Sequence, residues 1–266
     1  MKKSIIVIFL AVSLLPMLLL AQSRPSYRTD FNSKSYVDTA TSMLWTGASL
    51  SYQMPVGNLR QTFKNNINVG TGLTFKNAHN WTFDVNFNYM FGANLRDTSY
   101  AFLGDMVTSD GNIIDGNGMK ATIYTEGRYW TVGAGVGKVI PVDRWKNSGI
   151  WLRMGAGYFR HKIRINDYDN QVPQLTGDYL KGYDHRSSGF MLSQSVCYLF
   201  IQKNRVLNFY GGLEFYETWT KPDRSFIFYE GPTDNVPLKF SGLIGVKFGW
   251  NIPLYEKKAV TTFYYR

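Results

Sequence analysis

The 266-residue sequence contains a single cysteine, Cys197. One thiol cannot form an intrachain disulfide, so a fold held together by disulfides is excluded. No cysteine lies directly after the apolar N-terminal segment, and this excludes anchoring of the lipoprotein type.

Long apolar runs and basic runs are also missing. Beyond residue 20, no apolar stretch approaches the roughly 20 residues of a membrane helix. A membrane protein without such helices has to be a closed barrel, because lipid offers no hydrogen-bond partner to an open sheet edge. The formal net charge is +10, but Lys257-Lys258 is the only notable basic run and acidic residues are interleaved with the rest. Nucleic-acid binding is therefore not expected.

The N-terminus has the pattern of a secretory signal peptide. Lys2 and Lys3 precede an apolar run from Ile5 to Leu20, and the small residue Ala21 precedes a polar stretch. This pattern predicts a signal peptide over residues 1–21, cleaved after Ala21, and hence export. An uncleaved helical anchor is the alternative, but the apolar run is short for a membrane span.

Residues 80–91 alternate between large apolar and polar side chains. Successive side chains of a strand face opposite sides, so the pattern predicts a strand with one apolar and one polar face. The polar face carries amides and a carboxylate, which is typical of a strand between lipid and a polar lumen. The apolar face is formed by Trp81, Phe83, Val85, Phe87, Tyr89 and Phe91.

Eight segments have this period-two pattern, each near the length of a tilted membrane strand. They cover residues 43–54, 66–76, 80–91, 121–140, 149–160, 189–201, 206–219 and 239–251.

The connections between these segments alternate in length. Residues 77–79, 141–148 and 202–205 are short, whereas 55–65, 92–120, 161–188 and 220–238 are long. The alternation predicts an all-β fold, an eight-stranded antiparallel transmembrane β-barrel with short periplasmic turns and long external loops. A water-soluble barrel could share the strand count, but it would not need apolar aromatics on nearly every outer face.

The predicted domain organisation follows from these boundaries. It comprises the signal peptide at 1–21, a periplasmic N-terminal extension at 22–42, the outer-membrane barrel at 43–251 and a periplasmic C-terminal tail at 252–266.

Four charged residues share the inward parity of the predicted barrel: Asp84, Arg153, Glu214 and Lys247. An eight-stranded barrel is only wide enough to be filled by side chains. We therefore expect two acids and two bases to form a paired network in the lumen. The alternative is that each is a separately solvated strand residue.

The last predicted strand contains Gly245-Val246-Lys247-Phe248-Gly249-Trp250. This resembles the Gly-x-x-aromatic-x-aromatic signal that outer-membrane barrels present to their assembly machinery, although Leu243 stands where a polar residue is usual. With the strand count and loop asymmetry, residues 43–251 resemble the small eight-stranded barrels typified by outer membrane proteins A and X. The resemblance implies location in the cell outer membrane.

Gln22 after the predicted cleavage site, together with abundant Tyr, Phe and Asn, is similar to exported proteins of Bacteroidota. In that group, small barrels include accessory subunits of the type IX secretion and barrel-assembly machineries. The resemblance thus implies an interaction or envelope-assembly role.

The third long connection supplies candidate external-loop residues: His161, Asp184, His185 and Ser187. Some small barrels modify lipid A at the outer leaflet, and acid, base and hydroxyl groups are what such chemistry requires. These residue types are also ordinary in loops, and fold alone does not confer function. We therefore predict no enzymatic activity, with an outer-leaflet lipid A modifying enzyme as the alternative and a small pore as a third possibility.

No cofactor or metal site is expected. Asp110-Gly111 and Asp115-Gly116 lie in turn sequences of the second long connection, where their spacing differs from that of a calcium-binding EF-hand. The expected partners are outer-membrane lipid and lipopolysaccharide, with possible protein partners in an envelope complex.

Overall fold

The computed structural model describes residues 40, 42–93, 95–96, 101–142, 146–168, 172–201, 208–228, 230–233 and 235–254. The predicted signal peptide lies outside the described residues. So do nearly all of the predicted N-terminal extension and C-terminal tail.

The described residues form ten strands, and eight of them close into an antiparallel ring. The ring strands are β1 (Met43–Gly57), β2 (Asn66–Lys76), β3 (Trp81–Ala93), β4 (Ile123–Pro141), β5 (Gly149–Asp167), β6 (Ser187–Ile201), β7 (Asn208–Pro222) and β10 (Lys239–Leu254). Neighbours in sequence pair with each other, and β10 pairs with both β7 and β1 to close the barrel. The predicted fold, an eight-stranded antiparallel barrel, is confirmed.

The remaining elements lie in the long connections. The short strands β8 (Phe226–Ile227) and β9 (Gly231–Pro232) pair with each other between β7 and β10. One short helix, α1 (Leu59–Thr62), follows β1, and 3-10 turns cover Ala101–Met106, Pro173–Leu175 and Tyr179–Gly182. Within the described part of the chain, no helix is long and apolar enough to cross a membrane.

The two ends of the barrel differ as the sequence predicts. Residues 58–65, 94–122, 168–186 and 223–238 connect strands at what we call the long-loop end. Residues 77–80, 142–148 and 202–207 connect strands at the short-turn end.

Strands β5 and β6 extend further toward the long-loop end than predicted. β5 continues to Asp167 and pairs with β4 up to Ile123. Its added segment still alternates, with Ile163 and Ile165 buried and Lys162 exposed. The outer face of this segment is charged, so it lacks the apolar alternation that predicts a membrane strand, and the sequence pattern predicts a loop there.

The outer wall carries a band of exposed apolar side chains. On β3, Phe83 and Val85 are 50% and 59% exposed, whereas Thr82 and Asn88 on the opposite face are buried. The same outward pattern continues around the ring, at Leu50, Tyr52, Ile67, Val69, Leu73, Phe75, Val132, Val136, Ile150, Val196, Tyr198, Phe209, Leu213, Val246, Phe248 and Trp250.

Two polar side chains, Gln194 and Glu217, have the outward parity on β6 and β7. Both are buried, at 2% and 4% exposure. The exposed band therefore keeps its apolar character.

Small residues on the inner face let the narrow ring close around polar side chains. At Gly70, an added Cβ would lie 2.3 Å from Asn88 Oδ1 and 2.6 Å from Ser49 Oγ. A side chain at this position of β2 would have to displace the Asn88 amide and the Ser49 hydroxyl, which glycine leaves in place.

The outward band leads to the first prediction. Phe87 lies mid-strand on the outer face and is 45% exposed, so Phe87→Arg should destabilise the barrel in lipid by about 2–4 kcal/mol. Phe226 is similarly exposed at 47% but lies in the long-loop end, so Phe226→Arg should leave stability nearly unchanged. Denaturant titrations in lipid vesicles would measure both. Equal losses in the two variants would mean that no lipid-facing band exists.

Candidate functional site: the lumen and the long-loop mouth

Asp84 of β3 and Arg153 of β5 form a bidentate pair inside the barrel. Arg153 Nε donates to Asp84 Oδ2 at 2.7 Å and Nη2 donates to Oδ1 at 2.6 Å. Arg153 Nη1 also donates to Ser193 Oγ at 3.2 Å, and Asn86 donates to Asp84 at 2.9 Å. Paired hydrogen bonds of this kind fix geometry as well as charge.

Glu214 of β7 and Lys247 of β10 form a second pair. Lys247 Nζ lies 3.2 Å from Glu214 Oε2, and Glu214 is almost fully buried. Ser51 and Gln53 of β1 donate to Glu214 Oε1. The carboxylate therefore has an ionic partner and neutral donors, as a buried charge requires.

The four predicted lumen residues thus form two ion pairs. Ser195 of β6 lies in register with Arg153 on one side and with Glu214 on the other. Both Arg153 and Lys247 line a cavity of about 50 Å³ within the barrel. That the two pairs act energetically as one network stays a prediction.

Apolar layers lie on both sides of these charges. Toward the short-turn end, Trp151 packs edge-on against Trp45 (ring centroids 6.2 Å apart) and Tyr210 (5.3 Å), and its Nε1 donates to Thr82 Oγ1 at 2.9 Å. Toward the long-loop end, the lumen is filled by Met90, Tyr129, Phe159, Met191, Tyr216 and Leu243. Sequence reasoning missed these layers, although their inward parity on the strands was readable.

The long connections fold over this upper layer. Leu95, Leu103, Ile113, Val172 and Leu175 are buried in the same apolar cluster as the lumen residues. The long-loop end is therefore packed into a cap on the barrel.

A second cavity, of about 220 Å³, lies at the mouth beneath α1. It is lined by three of the four external-loop candidates, His161, His185 and Ser187, and by residues of β7 and β10. His161 and Ser187 lie in strands β5 and β6. Their predicted placement in a loop was wrong, because β5 and β6 extend further toward the long-loop end than the apolar pattern indicates.

The two imidazoles have different surroundings. His161 packs among aromatic rings, 5.6 Å from Phe63 and 5.7 Å from Phe159 between ring centroids, and its Nδ1 has no hydrogen-bond partner in the structure. His185 Nδ1 lies 3.8 Å from Glu230 Oε1. Burial lowers the pKa of His185, and the nearby Glu230 carboxylate and a hydrogen bond with the backbone of Phe102 oppose that shift.

Asp184, the fourth candidate, links the connection 168–186 to the connection 223–238. Arg224 donates to both of its carboxylate oxygens, at 3.1 and 2.6 Å. The Ser187 hydroxyl donates to the His185 carbonyl at 3.4 Å. Among the described residues, the structure shows no hydrogen-bonded relay of carboxylate, imidazole and serine.

Sequence reasoning also missed Asp223, which joins the same connections. It forms ion pairs with Arg160 at 3.3 Å and Arg186 at 3.2 Å, and it accepts a hydrogen bond from Ser188. No short sequence motif predicts such a cluster, since its members come from β5, β6, the connection before β6 and the connection after β7.

An aromatic row crosses the outer wall near the long-loop end. Tyr158, Phe190, Trp219 and Phe240 are partners in register on consecutive strands of the ring. Immediately beyond them, Arg160 lies 5.6 Å from the Trp130 ring centroid and 5.8 Å from that of Tyr158. The neighbouring outward cations on this side are Arg128, Lys162 and Lys221.

No protein-family model and no curated protein sequence matches this chain. Among solved structures, it is similar to Ail, the attachment invasion locus protein of Yersinia pestis, at 11% identity and a TM-score of 0.42, covering 79% of this chain and 99% of that one. Neisserial surface protein A is similar at 10% identity and a TM-score of 0.41, and the match covers 78% of this chain and 96% of that one. The N-terminal β-barrel domain of Pseudomonas aeruginosa OprF is similar at 9% identity and a TM-score of 0.33, and the match covers 77% of this chain and 96% of that one.

The lumen geometry leads to the second prediction. Arg153→Ala leaves the Asp84 carboxylate buried without its cation, and this should cost roughly 3–5 kcal/mol of unfolding free energy. Arg153→Ala combined with Asp84→Ala should cost less than the sum of the single changes. The exposed pair Lys181 and Asp178 is the matched control, and Lys181→Ala should give no measurable change. Strict additivity at Arg153 and Asp84, measured by denaturant unfolding, would show that the pair is not coupled.

Proposed function

We propose that this chain is a non-enzymatic outer-membrane β-barrel that acts as an interaction or envelope-assembly component through its long-loop end. The closed ring with an exposed apolar band supports insertion in lipid, where a barrel leaves no unpaired edge. The layers of side chains in the lumen support a structural wall over the alternative of a small pore.

Lipopolysaccharide and outer-leaflet lipid are the proposed membrane partners. The aromatic row of Tyr158, Phe190, Trp219 and Phe240 suits the interface between hydrocarbon and headgroups. The cations beyond it, Lys162 and Lys221, stand where anionic headgroups would lie. This arrangement supports an external position for the long-loop end.

An exposed aromatic patch carries the proposal of a protein partner. Phe228 lies 4.8 Å from Tyr183 and 5.9 Å from Phe226 between ring centroids, and its backbone N–H donates to the Gly182 carbonyl. Phe226 and Phe228 are each 47% exposed, and nearby Tyr179 is 67% exposed. These rings lie beyond the lipid level, where no bilayer covers them, and clustered exposed aromatics mark interaction surfaces.

The runner-up is an outer-leaflet lipid enzyme. The mouth holds His161, His185 and Ser187, but Asp184 is bound by Arg224 and Ser187 donates to a backbone carbonyl. These contacts support a binding role over acid–base catalysis. More specifically, we propose a place in a secretion or barrel-assembly machinery of the Bacteroidota type. This part of the proposal rests on the sequence resemblance alone.

Orientation gives the third prediction. With Cys197 changed to Ser, a cysteine at Tyr179 in the long-loop end should react with an impermeant thiol reagent on intact cells. A cysteine at His79, which is exposed at the short-turn end, should react only after the outer membrane is opened. If the cysteine at His79 reacts on intact cells and the one at Tyr179 does not, the short-turn end faces outward. The proposed external role of the long loops would then be wrong.

The aromatic patch gives the fourth prediction. Affinity isolation from the native envelope in mild detergent should recover a stoichiometric protein partner with the wild-type chain. The double variant Phe226→Ser with Phe228→Ser should lose it, because the patch supplies the buried area of the contact. Met119 is 67% exposed in a different long connection, so Met119→Ser is the control and should retain the partner.

Two results would contradict the interaction role. One is a partner bound equally by the patch variant and the control. The other is that no partner is recovered and that deletion of the chain alters the lipid A profile. This result would favour the outer-leaflet lipid A modifying enzyme.

A further inference from the structure

Two polar side chains belong to the otherwise apolar outer wall of the barrel. Val196 and Tyr198 of β6 are exposed on that wall, and Gln194 has the same parity along the strand. Leu213 of β7 is exposed there as well, and Glu217 has the same parity. An ionisable group in the membrane-facing part of a protein is costly and marks a functional feature.

The chain itself encloses both polar groups. Gln194 and Glu217 are 2% and 4% exposed, whereas Val196 and Leu213 on the same wall are 41% and 48% exposed. Gln194 Oε1 and Nε2 and Glu217 Oε1 are covered and have no hydrogen-bond partner in the structure. These atoms are closed to a partner from outside the chain, so only groups of the chain itself can satisfy them.

The strand register places the two side chains within reach of each other. Gln194 is opposite Phe215 across β6 and β7, and Leu192 is opposite Glu217. Glu217 is therefore the diagonal neighbour of Gln194 on the same face of the sheet. Diagonal neighbours in antiparallel strands are about 7–8 Å apart, a distance that long side chains can span.

The surroundings of the Glu217 carboxyl group are apolar. Its cross-strand neighbours are Leu192 on β6 and Gly242 on β10, and Phe215 and Trp219 flank it on its own face of β7. Among the described residues, none of the ion pairs includes Glu217. A charge on this carboxyl group would therefore be buried without a cation.

The other titratable groups of the three strands lie elsewhere. They face the lumen or lie toward the strand ends, and they are Cys197 and Tyr198 on β6, Tyr210, Glu214, Tyr216 and Lys221 on β7, and Lys239 and Lys247 on β10. The lumen carboxylate of Glu214 already has Lys247 as its partner. No group of these strands is thus placed to neutralise Glu217 from the outer face.

Protonation solves both problems of this position. An unpaired buried charge is far more costly than a neutral polar group, and the usual outcome is that the group becomes neutral. A protonated carboxyl group has one O–H donor, and the Gln194 side-chain carbonyl is an acceptor without a partner. The neutral form removes the charge and satisfies the amide at once.

We propose that Glu217 carries a proton in the folded barrel and donates a hydrogen bond to the Gln194 side-chain carbonyl. In the unfolded chain a glutamate releases its proton above roughly pH 4.3, so folding takes up one proton. Stability from this pair is therefore present in acid and is lost as the pH rises. The seam between β6 and β7 is a proton-sensitive element of the wall. The inference rests on the proposed function only in placing this wall in lipid.

Infrared spectra report the protonation state directly. The full chain would be studied in vesicles of ether-linked phosphocholine lipids, which have no carbonyl band of their own. The wild-type spectrum minus that of Glu217→Gln should show a carboxylic acid band at neutral pH. Glu126 is paired with Arg128, so the control Glu126→Gln should remove only a carboxylate band. A carboxylate band from Glu217 at neutral pH would overturn the proposal.

A change at Gln194 tests the hydrogen bond itself. Gln194→Leu removes the acceptor and keeps a side chain of similar size, so the carboxylic acid band should move to the higher frequency of a carboxyl group without that bond. Val196→Leu, on the same wall, should leave the band in place. An unmoved band in folded Gln194→Leu refutes the assignment. This comparison does not need Glu217→Gln, so it still decides the question if that variant does not fold.

Denaturant unfolding at several pH values measures the linked proton. Relative to Glu217→Gln, the wild type should lose stability as the pH rises above about 5, and its unfolding constant should grow by up to about tenfold per pH unit, the limit for one proton. The two proteins share every other titratable group, so their difference isolates Glu217. A difference that does not change with pH contradicts the proposal.

The result is separable from the proposed membrane role. If Phe87→Arg destabilises the barrel as expected but Glu217 is charged, the proton inference alone is wrong. If Glu217 is protonated but Phe87→Arg and Phe226→Arg cause equal losses, the placement in lipid is wrong. The proton is then held by the enclosure that the chain itself supplies.

Discussion

The narrow lumen of an eight-stranded ring is the constraint on which the rest of this structure depends. Such a ring has no room for a water column and has to be filled by its own inward side chains. Here the filling is layered, with aromatic rings around Trp151 at one side, the two ion pairs in the middle and the apolar cluster around Tyr129 at the other. The glycines on the inner face follow from the same constraint, because Gly70 leaves the space that Asn88 and Ser49 occupy.

The layered filling also determines what the long connections can do. The apolar upper layer needs a cover, and Leu103, Ile113 and Val172 supply it by folding down onto the mouth. Once anchored, those connections can hold residues in fixed positions, and Asp184 with Arg224 and Asp223 with Arg186 tie two of them together. The mouth cavity is the space beneath α1 that this cap leaves unfilled.

The fold was predictable from the sequence because the outer face of each ring strand is apolar and the inner face is mostly polar or small. This contrast makes the period-two pattern strong at Phe83, Val85 and Phe87 and gives the strand count directly. The pattern fails toward the long-loop end, where His161 and Ser187 lie in strands whose outer faces are polar. The site was only partly predictable, since the pairing of Arg153 with Asp84 depends on the heights of residues on strands β3 and β5, and the cavity depends on α1, β8 and β10 meeting at one place.

The outer wall, the lumen and the mouth of the barrel therefore accept different kinds of substitution. A residue of the outer band is specified only by its contact with lipid, so one apolar side chain can replace another there with little effect. A lumen charge is specified by a single partner, because removing Arg153 leaves Asp84 buried and unpaired. The mouth residues are specified by packing and by ion pairs between separate connections: His161 lies among the rings of Phe63 and Phe159, and Asp184 is held by Arg224. A substitution there acts on the cap, whereas a substitution in the lumen acts on the ring itself.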